Sequence, residues 1–210
     1  MSNERFYEAE KAGARRSAPA ALRNREPIAD VLRDWLPNAG VVLEIASGTG
    51  EHATYFAEHF SSLTWQPSDI HPDALASIAA WRDMAALPNL RSPLALDAAS
   101  PDWPVDKADA VLSINMVQIS PWRSALGLID GAARILAPGR PLILYGPWLA
   151  DDVPTAPSNA DFDRDLRSRD PEWGLRRVED FVAAASPRGF ALEEARAMPA
   201  NNRMLLFRRA

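Results

Sequence analysis

The sequence predicts a single α/β domain, with a mostly parallel sheet of seven strands that ends in an antiparallel hairpin and carries helices on both faces. Three observations predict it. Short apolar runs alternate with longer segments of helical periodicity from residue 41 to residue 185, the pattern of crossovers over parallel strands. Two final strand-like runs, Phe190–Ala197 and Met204–Arg209, are joined by Met198-Pro199-Ala200-Asn201-Asn202, a connection short enough to permit only antiparallel pairing. A chain of 210 residues, 47% hydrophobic and 24% charged, suits one domain with a sizeable core.

Taken in order, residues 1 to 26 are rich in Ala, Arg and Glu, lack a sustained apolar period and contain Pro19, so they are expected to be an arm ordered by docking. Pro27 is expected to open the first helix, because Ile28, Val31, Leu32 and Trp35 recur at helical spacing and Pro37-Asn38-Ala39-Gly40 ends it. Strands are expected at Val41–Ile45, Leu63–Pro67, Arg91–Leu96, Ala110–Ile114 and Pro141–Gly146. Helices are expected at 51–60, 73–86, 122–136 and 161–185, the third of these closed by Ala137-Pro138-Gly139. The last helix follows Val153-Pro154-Thr155-Ala156-Pro157, a stretch long enough to be a functional loop.

Composition narrows the function. A net charge of -5 gives no bulk basic field for a phosphate backbone, so general nucleic-acid binding is not expected. With no cysteine there is neither disulfide nor thiolate chemistry. The apolar runs are all too short to span a membrane and the N-terminus has no signal-like apolar core, so a cytoplasmic protein is the expectation. The histidines His52, His59 and His71 lack a set of carboxylates at metal-site spacing; no metal is expected, and His52 and His59, seven apart, read as packed or surface residues of one helix.

The informative segment is the turn after the first strand, Glu44-Ile45-Ala46-Ser47-Gly48-Thr49-Gly50. Small residues allow a ligand close to the backbone, and the following helix offers free N–H groups. Gly48-x-Gly50-x-x-Ala53 fits a dinucleotide fingerprint, and Asp69 lies nineteen residues past Gly50, where that fingerprint wants a ribose-binding acid, so an NAD(P)-dependent oxidoreductase is one reading. Glu44 argues against it. A carboxylate near the end of an apolar strand needs a cation or donors, and a pyrophosphate is a poor neighbour for it whereas an ammonium is a good one. Glu44 can also simply cap backbone donors.

The run Leu43–Gly50 resembles motif I of class I S-adenosylmethionine-dependent methyltransferases, an acid followed by G-x-G-x-G, and departs from it at Ala46, where a methyl is tolerated if φ is negative. Arg23-Asn24-x-x-Pro27-Ile28, Ala46–His52, Asn115–Trp122, Tyr145-Gly146-Pro147, Ser158-Asn159-x-x-Phe162-Asp163 and Met198–Asn202 together resemble one uncharacterised methyltransferase-like family, long held to be a domain of unknown function. The resemblance implies a Rossmann-like class I methyltransferase domain over 27–210, the arm 1–26 docked over the site, S-adenosylmethionine as cofactor, and methyl transfer to a small-molecule or protein acceptor. A cofactor-binding regulatory or scaffold protein without turnover is the alternative.

The resemblance also implies roles. Asp69 would bond the ribose hydroxyls, Ile70 would pack on the adenine, and Asp97 with the N–H of Ala98 would bond the adenine edge; read as turn residues, both acids would instead cap backbone. Ala46, Ser47, Gly48, Thr49 and Gly50 would line the cofactor, and Asn115, after the fourth strand, would sit beside the methyl donor; from their position before the first helix, Arg23 and Asn24 would reach the cofactor's carboxylate if the arm folds over the site. Gln118, Trp122, Tyr145, Trp148 and Asn159, with Tyr7 of the arm, are candidate acceptor-pocket residues. The family pattern implies His where this chain has Gln118, and glutamine cannot be a general base.

Overall fold

The computed structural model describes residues 8–9, 13–151 and 153–210. Seven strands form the main sheet: β1 Gly40–Ile45, β2 Leu63–Asp69, β3 Leu94–Ala95, β4 Ala110–Ile114, β5 Pro141–Gly146, β6 Phe190–Met198 and β7 Asn202–Arg209. Their order across the sheet is β3-β2-β1-β4-β5-β7-β6, parallel except for β7, which pairs antiparallel with both β5 and β6. Among the described residues six α-helices accompany them: α1 Pro19–Trp35, α2 Glu51–His59, α3 Pro72–Ala85, α4 Trp122–Ile135, α5 Pro157–Arg169 and α6 Val178–Ala185. The chain reverses direction across the sheet between β1 and β4, and such a switch point opens a crevice at the carboxyl ends of the strands.

The period of two along each strand splits the apolar residues into two cores. Val42, Leu112, Ile143 and Leu206 face Ile28, Leu32 and Trp35 of α1 and Phe56 of α2. Their strand neighbours Leu43, Val111, Leu142, Leu144, Leu205 and Phe207 face Leu128, Ile129 and Ala132 of α4 and Phe181 of α6. Burial on both faces explains why these strands read as continuous apolar runs. β6 lies at the sheet edge, with Glu193, Glu194 and Arg196 and a register shift between Leu192 and Glu194, features that blunt an open edge. No helix among the described residues is long and apolar enough to cross a membrane.

Three expected elements differ. The first helix starts at Pro19, not Pro27, and runs across the expected boundary between residues 26 and 27. Pro19 occupies the first turn, where its missing N–H costs nothing, and the helix-forming run from Ala20 to Arg23 carries the helix to Pro27, whose lost hydrogen bond is outweighed by burial of Ala21, Ile28 and Leu32. The expected helix 161–185 is two, α5 and α6, because Pro171 forces Asp170 into an extended conformation (φ -148°, ψ 120°). In the gap, Arg176–Arg177 pair with Trp148–Leu149. The expected strand Arg91–Leu96 shortens to β3, since Pro93 has no N–H to give the ladder.

α4 approaches the loop after β3 through glycine. A Cβ on Gly127 would lie 2.2 Å from the carbonyl oxygen of Ala98, and one on Gly131 would meet the Trp103 ring at the same distance. Gly127→Ala is therefore expected to lower stability by about 2 kcal/mol even though alanine favours the helix by about 1 kcal/mol. Urea denaturation checks this as a lowered midpoint at unchanged slope, and a raised midpoint would contradict the close packing.

Candidate functional site

A cavity of about 560 Å³ opens at the carboxyl ends of β1, β4 and β5. Glu44, Ala46, Ser47, Gly48 and Thr49 form one wall, Ile114, Asn115 and Ile119 the next, and Tyr145 and Pro147 the third. The first turn of α1 (Ala18 to Ala21, with Arg23 and Asn24), the start of α5 (Ser158, Asn159, Phe162) and the hairpin tip (Ala200, Asn202) cover it. Asn159 Nδ2 donates to the carbonyl of Asn201 at 2.9 Å, which ties α5 to the hairpin tip. Segment 16–18 is tied down as well: Ser77 Oγ accepts the Arg16 N–H at 2.8 Å, and Glu51 Oε2 accepts the Ala18 N–H at 2.6 Å.

Glu44 is buried at the end of β1, with 1% of its surface exposed. Trp65 Nε1 donates to its Oε2 at 2.7 Å, and the hydroxyl of Ser68 donates to its main-chain carbonyl at 2.8 Å. Burial raises its carboxyl to about 7, against the hydrogen bonds from Trp65 and Ser47 that favour the ionised form. A carboxylate at this pKa gains most from a cation in the cavity.

The turn that follows is wound tightly. Ala46 has φ 58°, so the methyl departs from glycine at a left-handed position, contrary to the negative φ under which it would be tolerated freely; such a residue carries about 1 kcal/mol of strain. Gly48 (φ 59°) and Gly50 (φ 91°) are also left-handed. Gly50 does not line the cavity: it is packed on Ile78 at the start of α2. Asn115 takes φ 62°, a conformation asparagine tolerates, and its N–H donates to the Tyr145 carbonyl at 2.8 Å.

Of the residues expected from the sequence, Arg23, Asn24, Glu44, Ala46, Ser47, Gly48, Thr49, Asn115, Tyr145 and Asn159 are brought together here. Asp69 stands behind the wall: its Oδ2 accepts the Gly48 N–H at 3.0 Å and its Oδ1 the His71 N–H at 2.9 Å, so it ties the turn to β2. Burial raises its pKa against those backbone bonds. Ile70 beside it is 52% exposed. Asp97 is exposed and its Oδ1 accepts the Ala99 N–H at 2.8 Å, while Ala98 is buried under Gly127.

Three expected pocket residues lie elsewhere. Gln118 is turned inward against Gly146 and fully buried, because the turn from Asn115 presents Asn115 and Ile119 to the cavity instead. Trp148 packs edge-on against Phe181 at 5.7 Å in the α4–α6 core, and Trp122 flanks the same ring at 6.3 Å. Tyr7 lies outside the described residues. Residues not singled out as pocket candidates, Ile119, Pro147, Ser158, Phe162, Ala200 and Asn202, do line the cavity; all six fall in the motif runs that carried the family resemblance, which was the available signal.

His52, read from the sequence as a packed or surface helix residue, is on the wall too. Its Nε2 lies 2.8 Å from Asn24 Oδ1, and its ring stacks on Phe56 at 5.5 Å. Burial first, then the Arg25 charge, lowers its pKa to about 4, so it is neutral at pH 7. A lowered histidine pKa leaves stability intact above the unfolded value of 6.5 and removes it as pH falls toward 4. The ring keeps part of its surface on the cavity, which moderates the effect. The stability of the native protein relative to His52→Gln is expected to fall by about 2 kcal/mol between these pH values, read by denaturant titration at each pH. A gap that stays constant with pH would show that the ring is not held neutral.

A seven-stranded sheet in this order, with a site at its switch point, is the class I methyltransferase fold, and solved structures agree. An O-methyltransferase family protein from Burkholderia thailandensis superposes with a TM-score of 0.76 at 20% identity, over 91% of this chain and 57% of that one. The mitomycin 7-O-methyltransferase MmcR gives 0.78 at 17% identity over 92% and 55%, and CalO1, a methyltransferase in calicheamicin biosynthesis solved with SAH bound, gives 0.73 at 11% over 91% and 55%. The chain thus spans little more than half the length of these structures. Within this fold the chain belongs to the family described as protein of unknown function DUF938, whose model matches residues 15–209.

Proposed function

We propose that the protein binds S-adenosylmethionine in this cavity and transfers its methyl group to a small-molecule acceptor. The observation that carries the reading is Glu44: a buried carboxylate on the cavity wall, at the switch point and beside the Ala46–Thr49 turn. It fits the ammonium of a methionine moiety and repels the pyrophosphate of a dinucleotide. Arg23 and Asn24 would meet the carboxylate of that moiety from α1. Asp69, at the end of β2 behind the turn, accepts from the Gly48 and His71 N–H groups and would keep a lone pair for a ribose hydroxyl. Exposed Ile70 would face the adenine.

The cofactor supplies an activated methyl group, so the chain's own task is to align an acceptor and exclude water. The cover made by α1, α5 and the hairpin tip supports a small molecule over a protein side chain as acceptor. Isothermal titration with S-adenosylmethionine and its demethylated product S-adenosylhomocysteine tests the reading. Saturable binding of both is expected. Binding of neither would remove the reading, and thermal protection by NAD(P) alone would replace it with the dinucleotide reading.

A further inference from the structure

Pro27 divides α1 into two halves that are held in different ways. It has no N–H for the Arg23 carbonyl four residues back, so the helical ladder lacks a rung at that point. Beyond it, Ile28, Ala29, Val31, Leu32 and Trp35 are buried in the core with Val42, Leu112 and Ile143. Before it, Ala21 is the one buried residue of the helix, and Pro19, Ala20, Leu22, Arg23 and Glu26 are exposed. The cavity is covered by the exposed half alone: Ala18 to Ala21, Arg23 and Asn24 line it, and no residue from Ile28 to Trp35 does.

Polar contacts to α2 and α3 hold residues 16–26 down. Trp81 Nε1 donates to the Arg16 carbonyl at 2.8 Å. The Arg16 N–H donates to Ser77 Oγ at 2.8 Å, and the Ser77 hydroxyl donates to the Thr49 carbonyl at 2.7 Å. Glu51 Oε2 accepts both the Ala18 N–H at 2.6 Å and the Thr49 hydroxyl at 3.2 Å. Further along, His52 Nε2 lies 2.8 Å from Asn24 Oδ1, and the Arg25 guanidinium stands 4.7 Å over the Tyr55 ring. Glu51 Oε1 is buried with no partner among the described residues. The closed arrangement therefore leaves a carboxylate oxygen without donors, which water would supply on opening, and this offsets part of the cost of releasing the contacts.

We propose that residues 16–26 are a lid that lifts about Pro27 to admit and release the ligand of the cavity, with Trp81, Ser77 and Glu51 as its latch. For the identity of that ligand the lid rests on the S-adenosylmethionine reading above. A segment with one buried side chain and a few polar contacts opens far more readily than the whole domain unfolds, while the apolar half of α1 stays in the core. The latch is closed in the free protein, and no latch residue lines the cavity. Weakening it therefore speeds entry and exit together and leaves affinity in place.

Rapid mixing of the full chain with S-adenosylhomocysteine measures both rates. Trp81→Phe, which keeps an apolar ring and removes the donor to Arg16, is expected to raise association and dissociation about fivefold each, with the dissociation constant held within about twofold. Pro27→Ala, which supplies the missing N–H, is expected to slow both rates by a similar factor. Amide exchange reads the lid without any ligand. The Arg16, Ala18 and Asn24 to Glu26 amides should exchange as one group, at least about tenfold faster than those of Val31 to Trp35, and Pro27→Ala should slow them. A Trp81→Phe variant altered in dissociation alone, rates unchanged in Pro27→Ala, or amides at 24–26 as slow as those at 31–35 would overturn the lid. Failure of the native protein to bind S-adenosylhomocysteine would overturn the function proposed above, and the exchange comparison would still decide the lid.

Discussion

Glu44→Gln is expected to weaken S-adenosylhomocysteine binding by about 10- to 100-fold at pH 8 and to remove its pH dependence. Hydrogen bonds and contacts to a charged partner contribute about 1.5–3 kcal/mol, and each 1.4 kcal/mol is a factor of about ten. In the free protein the Glu44 carboxyl sits at about 7, raised chiefly by burial. An ammonium beside it would lower that value, so binding below pH 7 must release a proton from Glu44. Native affinity should therefore be flat above pH 7 and fall as pH drops, approaching about tenfold per unit. Calorimetry in buffers of different ionisation enthalpy counts the proton directly. A native affinity independent of pH, or a glutamine variant that binds as tightly, would remove Glu44 from the site.

The same substitution has an opposite effect on the free protein. A carboxyl whose folded pKa is raised contributes stability that is fully present below its unfolded value of 4.5 and is lost as pH rises through about 7. Glutamine keeps an oxygen for the Trp65 indole and has no charge to bury. Relative to native protein, Glu44→Gln is expected to gain up to about 3 kcal/mol between pH 4.5 and pH 8. Stability gained with binding lost is the signature of a group retained for a ligand.

Gly50→Ala is expected to cost about 3 kcal/mol, and Ala46→Gly to change stability by less than about 1 kcal/mol. Gly50 combines φ 91° with a neighbour: a Cβ would lie 2.8 Å from the Cα of Ile78, main-chain atoms that cannot swing aside. Left-handed strain and overpacking therefore add. At Ala46 the strain already exists, and glycine relieves it while giving back a similar amount through the greater freedom of the unfolded chain. Thermal denaturation of the two variants separates the cases. A larger loss at Ala46 than at Gly50 would mean that the Ala46 methyl is needed for packing in the turn.

How legible each part was depends on the distance over which its cause acts. Strands β1, β2, β4 and β5 were readable because both faces are buried, and continuous apolar runs with turn residues between them leave little choice. The Glu44–Gly50 turn was readable because an acid at a strand end followed by small residues has few other uses. Pro27 misled because one lost hydrogen bond looks like a helix start, whereas the burial of Ala21 and Ile28 on one helix face decides that α1 continues through it. Pro171 had the opposite result, since no comparable apolar face spans Asp170 to Arg177.

The sequence by itself determined the alternating α/β order, the closing hairpin and the position of the Glu44–Gly50 turn, because these follow from local periodicity and from φ/ψ preferences of single residues. Tertiary structure alone decided what faces the cavity. Gln118, Trp122 and Trp148 are aromatic or polar residues near strand ends, as are Asn115 and Tyr145, and side-chain direction at each turn separates the two groups. His52 looked like a packed or surface helix residue because its partner, Asn24, is 28 positions away in sequence. Hydrogen bonds between distant elements leave no periodic trace in a chain, so the His52–Asn24 pair exists only once α1 and α2 have packed.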